Sequence, residues 1–414
     1  MSGSRKVVVC QIGAREHYAL PVALHEQSRL AALATDIWVP PGSMLGRLAG
    51  LWGEKGQRFA ERYVAPLGNA EVISAGSIAQ AGRILLRPAG WGRIMAHDRW
   101  FGDRTARTLI TRGIFDRDLP PATFAYAYGA LEILEAAESR GSPTLLGQID
   151  PGPLEHDVVA EVAARHALPP PTVPPELYWS RWRRECSLAD VIVVNSAWSG
   201  TLLARAGIEP GKIVVVPLAL ATKHGPPLAR PPLPSVFTRD RPLQVLFLGR
   251  VGVRKGAIEL LDAMARLRAA PIHLTLVGPI DVALRPLIER HSSVEVVGPV
   301  PRGATAAYYQ SADVMILPTH SDGFAITQLE AQAAGLPVVV STFCGRVVSD
   351  RDSGLVLPEV SAEAIADALA SLVAAPYQLG DMAARAPAIA ARFTPERAAA
   401  ALLDCVDRAL RVKG

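Results

Sequence analysis

A cationic turn at residues 249–256 carries the clearest chemical signal in this sequence. Gly-Arg-Val-Gly-Val-Arg-Lys-Gly follows a predicted strand and opens a predicted helix. Gly249 permits a tight turn, while Arg250 and Lys255 place two cations beside a helix N-terminus, whose N–H groups already favour anions. This combination suits a diphosphate. The residue order of a Walker loop, Gly-x-x-x-x-Gly-Lys-Ser/Thr, is absent from this turn. For the turn alone, a βα connection with solvated basic side chains is an equally good interpretation.

A second candidate site follows a predicted strand at 314–317. The loop after that strand carries Asp322 and Gly323, and a helix is predicted to begin near Ala325. The backbone N–H groups of Phe324, Ala325 and Ile326 would then point out of a helix N-terminus, which favours an anion. The alternative is that Asp322 only caps the helix.

Glu330 is predicted to lie one to two turns inside the same helix. A carboxylate there can accept hydrogen bonds from the vicinal hydroxyls of a ribose, as an acidic residue does in dinucleotide folds. The alternative is an ordinary surface charge. Because Glu330 lies between Leu329 and the small, largely apolar run 331–335, we favour the buried, functional interpretation.

A polar loop follows the first predicted strand. It reads Gly13-Ala14-Arg15-Glu16-His17-Tyr18. Ionisable residues at the end of a strand are functional more often than those elsewhere on a surface. We therefore predict that Glu16 and His17 contact an acceptor or a sugar.

Short apolar runs and helical segments alternate along the C-terminal half. Strands are predicted at 244–248, 272–277, 294–297, 314–317 and 337–340, and helices at 256–269, 282–290, 304–311, 325–334 and 362–374. This alternation is typical of a parallel sheet covered on both faces. In such sheets the ligand lies outside the carboxyl ends of the strands. The candidate residues above all follow predicted strands.

The N-terminal half repeats the pattern less regularly. Strands are predicted at 7–12, 124–127, 144–147, 191–194 and 213–216, with a helix at 18–30 and an unassigned region at 40–117. Five prolines between 225 and 234 indicate an extended linker. We predict an α/β chain of two doubly wound, Rossmann-like parallel-sheet domains facing a central cleft. Their bounds are 1–225 and 242–394, with a linker at 226–241 and a C-terminal helix at 395–414 that packs back toward the first domain.

Composition limits the class of protein. The chain has 414 residues, of which 50% are hydrophobic, and a net charge of +4, so it is globular and needs no nucleic-acid partner. The four cysteines include no Cys-x-x-Cys pair, and we interpret them as reduced core thiols of a cytoplasmic protein. No apolar run approaches the length of a membrane span.

Residues 83–117 form a basic segment with eight arginines against three aspartates, interleaved with aromatic and aliphatic side chains. Such a stretch can lie on an anionic membrane, here the inner face. A solvated insertion on the acceptor side is the somewhat favoured alternative.

Together these motifs resemble the retaining glycosyltransferases of family 4, which have the GT-B fold. That family carries a Gly-Arg…Lys-Gly turn and two Glu residues separated by seven others. Here Asp322 and Glu330 enclose seven residues, and Ala-Gly-Leu-Pro-Val at 334–338 continues the motif. Segments 189–196, 212–217 and 308–313 match as well. The resemblance is strong over 189–358 and weak before it.

The resemblance implies a role for each matching residue. Arg250 and Lys255 would bind the diphosphate of a nucleotide-sugar beside Gly249, Glu330 would hold the ribose, and Asp322 would touch the donor sugar. The remaining donor contacts would come from Gly13, Gly298, Val300, Gly323, Phe324, Ala325 and Ile326, with Gly298 and Val300 at the base. Catalytic roles would fall to Asp322, Arg250, Lys255 and His17. It implies no cofactor and no metal, because cations and amides would stabilise the leaving group.

Two departures from the family pattern concern the sugar pocket. Asp322 is one methylene shorter than the usual Glu, and Ala325 replaces a Gly. After strand 144–147, where many members carry a donor-contacting His, this sequence has Gln148-Ile149-Asp150. Gln148 or Asp150 could substitute for that His, as could His17 or His97. A simple turn into a helix is at least as good an interpretation of Asp150.

The expected activity is transfer of a sugar from a nucleotide-diphospho-sugar to a glycan, lipid-linked or small-molecule acceptor, with retention of anomeric configuration. Two alternatives remain open: a non-catalytic GT-B protein that binds a nucleotide-sugar or glycan, and a GT-B sugar-nucleotide epimerase. A dinucleotide oxidoreductase is disfavoured, because Gly-x-Gly-x-x-Gly follows neither Val9 nor Leu248.

Overall fold

A computed structural model describes residues 5–43, 46–47, 61–76, 88–220 and 231–413. The strands of these segments are β1 Val7–Gln11, β2 Leu30–Thr35, β3 Val72–Ser74, β4 Ala122–Tyr126, β5 Thr144–Gln148, β6 Val191–Val194, β7 Ile213–Val215, β8 Leu243–Leu248, β9 Ile272–Val277, β10 Val294–Gly298, β11 Val314–Leu317, β12 Val338–Ser341 and β13 Gly354–Leu357. The α-helices are α1 Ala19–Glu26, α2 Trp91–Thr111, α3 Leu131–Glu138, α4 Pro153–Arg165, α5 Glu176–Leu188, α6 Ala197–Arg205, α7 Ala257–Arg266, α8 Arg285–Ile288, α9 Thr305–Ser311, α10 Ile326–Ala333, α11 Ala362–Ala374, α12 Pro376–Ala390 and α13 Pro395–Lys413.

The strands form two separate parallel sheets, which confirms the predicted fold class. Their orders are β3-β2-β1-β4-β5-β6-β7 and β10-β9-β8-β11-β12-β13. In each sheet the winding reverses once, between β1 and β4 and between β8 and β11. Because ligands of doubly wound sheets bind outside the carboxyl ends of the strands at such a reversal, each domain has one expected binding edge.

Uniformly apolar strands account for this architecture. Every residue of β1, β6, β11 and β12 is buried, as expected when helices cover both faces of a parallel sheet. Helix α7 contributes to this cover by burying Leu260, Leu261 and Met264 in the core of the second domain.

The last helix crosses back to the first domain. Leu402, Cys405 and Val406 of α13 are buried in the same core cluster as Val9 of β1 and Phe124 of β4. The N-terminal core is therefore completed by residues that follow the whole second domain in the chain.

The structure corrects the predicted elements in several places. The predicted helix 18–30 ends at Glu26, because Ser28 has a left-handed φ of 57° and Leu30 begins strand β2, which the sequence pattern missed. The unassigned region 40–117 contains β3 and α2, and β13 and α12 had not been predicted.

Some predictions fall outside the described residues. Residues 226–230 of the predicted linker do so, as do Arg83 and Arg87 of the basic segment, while 231–242 contain no regular secondary structure. The four cysteines are buried and unpaired, as predicted. Among the described helices, none combines the length and the apolarity that a membrane span requires.

Candidate functional site

The turn after β8 is packed against the end of β11 by a glycine. Gly256 has a left-handed φ of 68°, and a Cβ at this position would lie 1.9 Å from the carbonyl oxygen of Pro318. Only glycine allows this approach. It brings the short 3₁₀ turn Val253–Lys255 next to the loop that carries Asp322.

Lys255 and Asp322 meet in this contact. The Lys255 ammonium contacts Asp322 Oδ2, and their side chains are only 14% and 13% exposed. Arg254 Nη1 lies 3.8 Å from the same oxygen. Burial and, to a smaller degree, the charge of Arg254 lower the pKa of Lys255, whereas an adjacent carboxylate favours the ammonium form.

The N-terminus of α10 differs from the expected anion site. The helix begins at Ile326, and Asp322 Oδ1 accepts the N–H groups of Phe324 at 3.2 Å and Ala325 at 3.0 Å. Two of the three N–H groups expected to face an anion are thus capped by Asp322. Ala325 itself has a left-handed φ of 63°, the conformation that a glycine adopts without strain.

Glu330 is held by two side chains that the sequence pattern did not identify. Arg302 Nη2 lies 3.1 Å from Glu330 Oε1, and the Tyr309 hydroxyl donates to Oε2 at 2.9 Å. The Glu330 side chain is only 17% exposed, so it is not a solvated surface charge. Both of its carboxylate oxygens already accept hydrogen bonds, from Arg302 and from Tyr309.

The two predicted diphosphate cations have different partners. Arg250 Nη1 pairs with Asp281 Oδ1 at 2.9 Å, and both side chains are solvent-exposed. Gly249 has a φ of 140° and precedes this arginine. Lys255 pairs with Asp322 instead, so the two cations contact different carboxylates.

The residues expected at the base lie at the end of β10. Gly298 has a φ of 80° and accepts the N–H of Gly278 at 2.9 Å. Val300 is half-buried against the core cluster that includes Leu317. The backbone here can reach a ligand, because a Cβ on Gly298 would meet nothing within 4 Å.

The loop after β1 is strained. Gly13 has a φ of 82° and donates its N–H to Asp36 Oδ1 at 2.9 Å. Glu16, His17 and Tyr18 then adopt left-handed φ values of 47°, 50° and 61° in succession. Non-glycine residues in this region cost about 1–3 kcal/mol each and cluster at functional sites.

Glu16 and His17 of this loop have different surroundings. Burial raises the pKa of Glu16 to about 7, against the opposing effects of Arg15 and of the Tyr126 hydroxyl, which lies 3.5 Å from Oε1. Burial also lowers the pKa of His17, on which the charges of Arg302 and Glu330 act as well. The charge of Glu61 in the first domain acts on His17 too, so His17 lies within electrostatic reach of both domains.

Gln148 and Asp150 hold each other and their own loop. Gln148 is 1% exposed, and its side chain bonds to Tyr128, Asp150 and Trp182. Asp150 Oδ1 accepts from Tyr128, from Gln148 and from the N–H of Gly152 at the start of α4. These contacts agree with the interpretation of Asp150 as part of a turn that leads into helix α4.

The two domains touch beside this loop. A Cβ on Gly323 would lie 2.4 Å from the carbonyl oxygen of Ile149, and Trp198 donates to the Ser321 hydroxyl at 3.0 Å. Arg254 Nη1 also lies 3.3 Å from Glu155 Oε1. The Asp322 loop is thus seated against the first domain.

A buried cluster next to the Gly13 loop was missed from the sequence. Asp36 follows β2, is 2% exposed, and pairs with Arg62 at 2.6 Å. His97 Nε2 lies 3.9 Å from its other carboxylate oxygen. The signal was available in principle, because Asp36 directly follows a strand, but that strand had not been recognised. Among the described residues, no cluster of three or more His, Cys, Asp or Glu side chains is placed to hold a metal ion.

Comparisons with known proteins relate part of the chain to a family. Residues 242–375 match the family model described as "Glycosyl transferases group 1". The D-inositol 3-phosphate glycosyltransferase of Rhodococcus erythropolis is 33% identical over 239 residues, which are 53% of this chain and 54% of the relative. D-inositol 3-phosphate glycosyltransferase 2 of Catenulispora acidiphila is 29% identical over 242 residues, 54% of this chain and 57% of the relative. The chain spans about half the length of the curated relatives it matches.

Solved structures match over nearly the whole chain. The catalytic domain of Starch Synthase IV from Arabidopsis thaliana, bound to ADP and acarbose, has a TM-score of 0.68 at 10% identity and covers 99% of this chain and 100% of its own. Sucrose-phosphate synthase (tll1590) from Thermosynechococcus elongatus has a TM-score of 0.67 at 18% identity, with the same coverage. Anabaena Alr3699/HepE in complex with UDP has a TM-score of 0.59 at 15% identity and covers 97% of this chain and 99% of its own. The chain thus has the GT-B fold, and its residues 242–375 match glycosyl transferases group 1.

Proposed function

We propose that this chain is a glycosyltransferase that moves a sugar from a nucleotide-diphospho-sugar to an acceptor with retention of anomeric configuration. One observation carries the proposal: Lys255 and Asp322 meet at the carboxyl ends of β8 and β11. This is the point where a doubly wound sheet binds its ligand. The segment that matches glycosyl transferases group 1 contains both residues.

The donor would lie along this edge of the second domain. Lys255 and Arg250 would neutralise the diphosphate beside Gly249, Glu330 would bind the ribose, and the backbone at Gly298 and Val300 would contact the base. The loop from Asp322 to Ile326 would hold the sugar. Three contacts must then rearrange, because Lys255 is paired with Asp322, Glu330 with Arg302 and Arg250 with Asp281.

The chemical step would rest on electrostatic stabilisation. The bond between the sugar carbon and the β-phosphate oxygen breaks, the acceptor oxygen bonds to that carbon on the same face, and the acceptor proton leaves with the diphosphate. Negative charge that grows on the leaving oxygen is stabilised by the nearby cations, and no metal is needed.

The acceptor would enter from the first domain. Glu16 and His17 follow β1, and the charge of Glu330 reaches His17 from the opposite domain. The similar proteins named above act on D-inositol 3-phosphate. Inositol phosphate is therefore the first small-molecule acceptor to test, beside glycans and lipid-linked sugars.

We place the reaction in the cytoplasm, with peripheral contact at the inner membrane face through residues 83–117. The described part of this segment contains α2, whose arginines Arg99 and Arg107 face solvent. Arg99, Trp100, Arg104 and Arg107 line a groove of about 540 Å³ beside α5. Binding to vesicles that contain anionic lipid, and not to neutral vesicles, tests this contact.

A thermal-shift screen of nucleotide-sugars, followed by product analysis with the stabilising donor, tests the proposal. A ligand that binds only the native state at 100 times its Kd stabilises it by about 2.7 kcal/mol. Lys255→Ala and Glu330→Ala should remove transfer while the protein stays folded, and the exposed Arg205→Gln on α6 serves as the control. Full turnover by the first two variants would overturn the proposal.

A second candidate function has its own support. Gln148 and Asp150, which stand where a donor-contacting His is usual in the resembling family, are fully engaged in holding a turn. Donor binding with neither transfer nor hydrolysis would favour a non-catalytic nucleotide-sugar binder. Conversion of the donor into an isomeric sugar nucleotide without any acceptor would favour the epimerase.

A further inference from the structure

Arg15 lies in the strained loop after β1. Its Nε is buried and has no hydrogen-bond partner among the described residues, and neither have Gln11 Oε1 at the end of β1 and His17 Nε2 of the same loop. The guanidinium carbon lies 5.0 Å from the centroid of the Tyr126 ring, at the end of β4. A buried N–H donor without a partner is costly, so a bound ligand is the natural source of the missing acceptor.

Five other cations of the site region are already paired. Each of them has a described carboxylate oxygen within ion-pair distance: Arg62 with Asp36, Arg250 with Asp281, Arg254 with Glu155, Lys255 with Asp322 and Arg302 with Glu330. Within the described part of the chain, Arg15 has no such pair. Arg15 can therefore receive an anion from a ligand without first breaking an ion pair.

The carboxyl groups near Arg15 make no ion pair with it. Its charge acts on Glu16 and on Asp98 of α2, and burial raises the pKa of each to about 7. Among the described residues, neither carboxylate lies within ion-pair distance of the guanidinium, so Arg15 can still bind an anion directly.

The direction of Arg15 separates it from the donor. His17 of the same loop lies within electrostatic reach of Arg302 and Glu330 of the second domain, whereas Arg15 lies over Tyr126 and near Asp98, both in the first domain. The donor diphosphate proposed above lies against the second domain. An anion bound by Arg15 thus belongs to the other substrate.

We propose that Arg15 binds an anionic group, a phosphate or a carboxylate, of the acceptor. The identification of this ligand as an acceptor rests on the proposed function, but anion binding at Arg15 can be measured without any transfer. It restricts the acceptor to phosphorylated or carboxylated molecules. The guanidinium supplies the charge-assisted hydrogen bonds that such groups prefer.

The test uses the full chain, with thermal shift and calorimetric titration. Inorganic phosphate and acetate serve as probes for the two anion classes, each measured with and without saturating UDP. D-inositol 3-phosphate and uncharged inositol form a second probe pair. The variants are Arg15→Gln and Arg15→Lys, and Arg205→Gln is the charge-matched control, because Arg205 is exposed at the end of α6.

We expect at least one probe anion to stabilise the wild type in the presence of UDP. Arg15→Gln should lower the affinity for that anion at least about tenfold, which corresponds to about 1.4 kcal/mol of binding free energy. Arg15→Lys should restore part of the loss, and Arg205→Gln should behave as wild type. An unchanged UDP response shows that Arg15→Gln is folded. Preference for phosphate or for acetate then identifies the anion class.

Three results would overturn the inference. They are wild-type anion affinity in Arg15→Gln, loss of anion binding when UDP is added, and failure of both anions to stabilise the wild type. The proposed function fails separately, when no nucleotide or nucleotide-sugar binds at all. Measurement of phosphate without nucleotide still reports on Arg15 in that case.

Discussion

The ammonium group of Lys255 contacts the carboxylate of Asp322, and this contact joins the turn after β8 to the loop after β11. Both side chains are largely buried, so neither charge is well solvated if the other is removed. Asp322 also caps the N–H groups of Phe324 and Ala325. A single carboxylate therefore orders the sugar-side loop and fixes the candidate phosphate cation.

Removal of either partner should cost stability as well as activity. Lys255→Met and Asp322→Asn each leave a buried charge without its partner, and we expect each to lower the free energy of unfolding by about 3 kcal/mol. The double variant should lose less than the sum, which urea unfolding in a double-mutant cycle measures. Arg250→Gln is the control. Its pair with Asp281 is exposed, so the loss should stay below about 1 kcal/mol. Strictly additive losses would contradict the coupling.

Glu330→Gln and Arg302→Gln should separate ribose binding from protein pairing. Gln at 330 keeps an acceptor for Tyr309 but loses the ion pair and one charged ribose acceptor, so nucleotide-sugar affinity should fall at least about tenfold. Arg302→Gln releases Glu330, and affinity should hold or improve. Calorimetric titration measures both variants. An equal loss in the two variants would contradict this separation.

Ala325→Gly should stabilise the protein. A left-handed alanine costs roughly 1–2 kcal/mol relative to glycine, and the buried methyl returns only part of that, so we expect a net gain of roughly 0.5–1 kcal/mol. Ala370→Gly on α11 is the matched control. Ala370 is exposed inside a regular helix, where glycine costs about 1 kcal/mol. Urea unfolding should give opposite signs for the two, and equal losses would show that Ala325 is not strained.

Glu16 should make stability depend on pH. Its pKa is raised to about 7, so the folded state holds a proton that the unfolded chain releases near 4.5. Its contribution is therefore most favourable below pH 4.5 and is lost as the pH rises to about 7. Glu16→Gln should gain stability relative to wild type over that interval and stay level above about pH 8. Parallel unfolding curves from pH 4.5 to 8.5 would contradict the shift.

The sequence was sufficient for the fold class because strands such as β11 and β12 are short, apolar throughout and separated by helical segments. It was insufficient for β2. The run Leu-Ala-Ala-Leu-Ala-Thr at 30–35 continues a helical spacing in residues with high helix propensity, and only its burial between β1 and β3 makes it a strand. That omission also hid Asp36, which follows β2 and anchors Gly13.

The individual residues of the candidate site could be proposed from the sequence, but the side chains with which they pair could not. The positions of Lys255, Asp322 and Glu330 at strand and helix ends follow from local pattern. Their partners do not, because Arg302 and Tyr309 reach Glu330 from another element of the fold. Strain was equally invisible, since nothing in the types Glu16, His17 and Tyr18 requires a left-handed backbone.

The return of α13 to the first domain has a consequence for synthesis. The ribosome completes β1 to β7 early, but the apolar surface that Leu402, Cys405 and Val406 cover stays open until helix α13 emerges. The second domain, whose strands all precede this helix, can finish folding before the first. Premature termination within α13 should therefore unfold the N-terminal sheet, at the opposite end of the chain from the lesion.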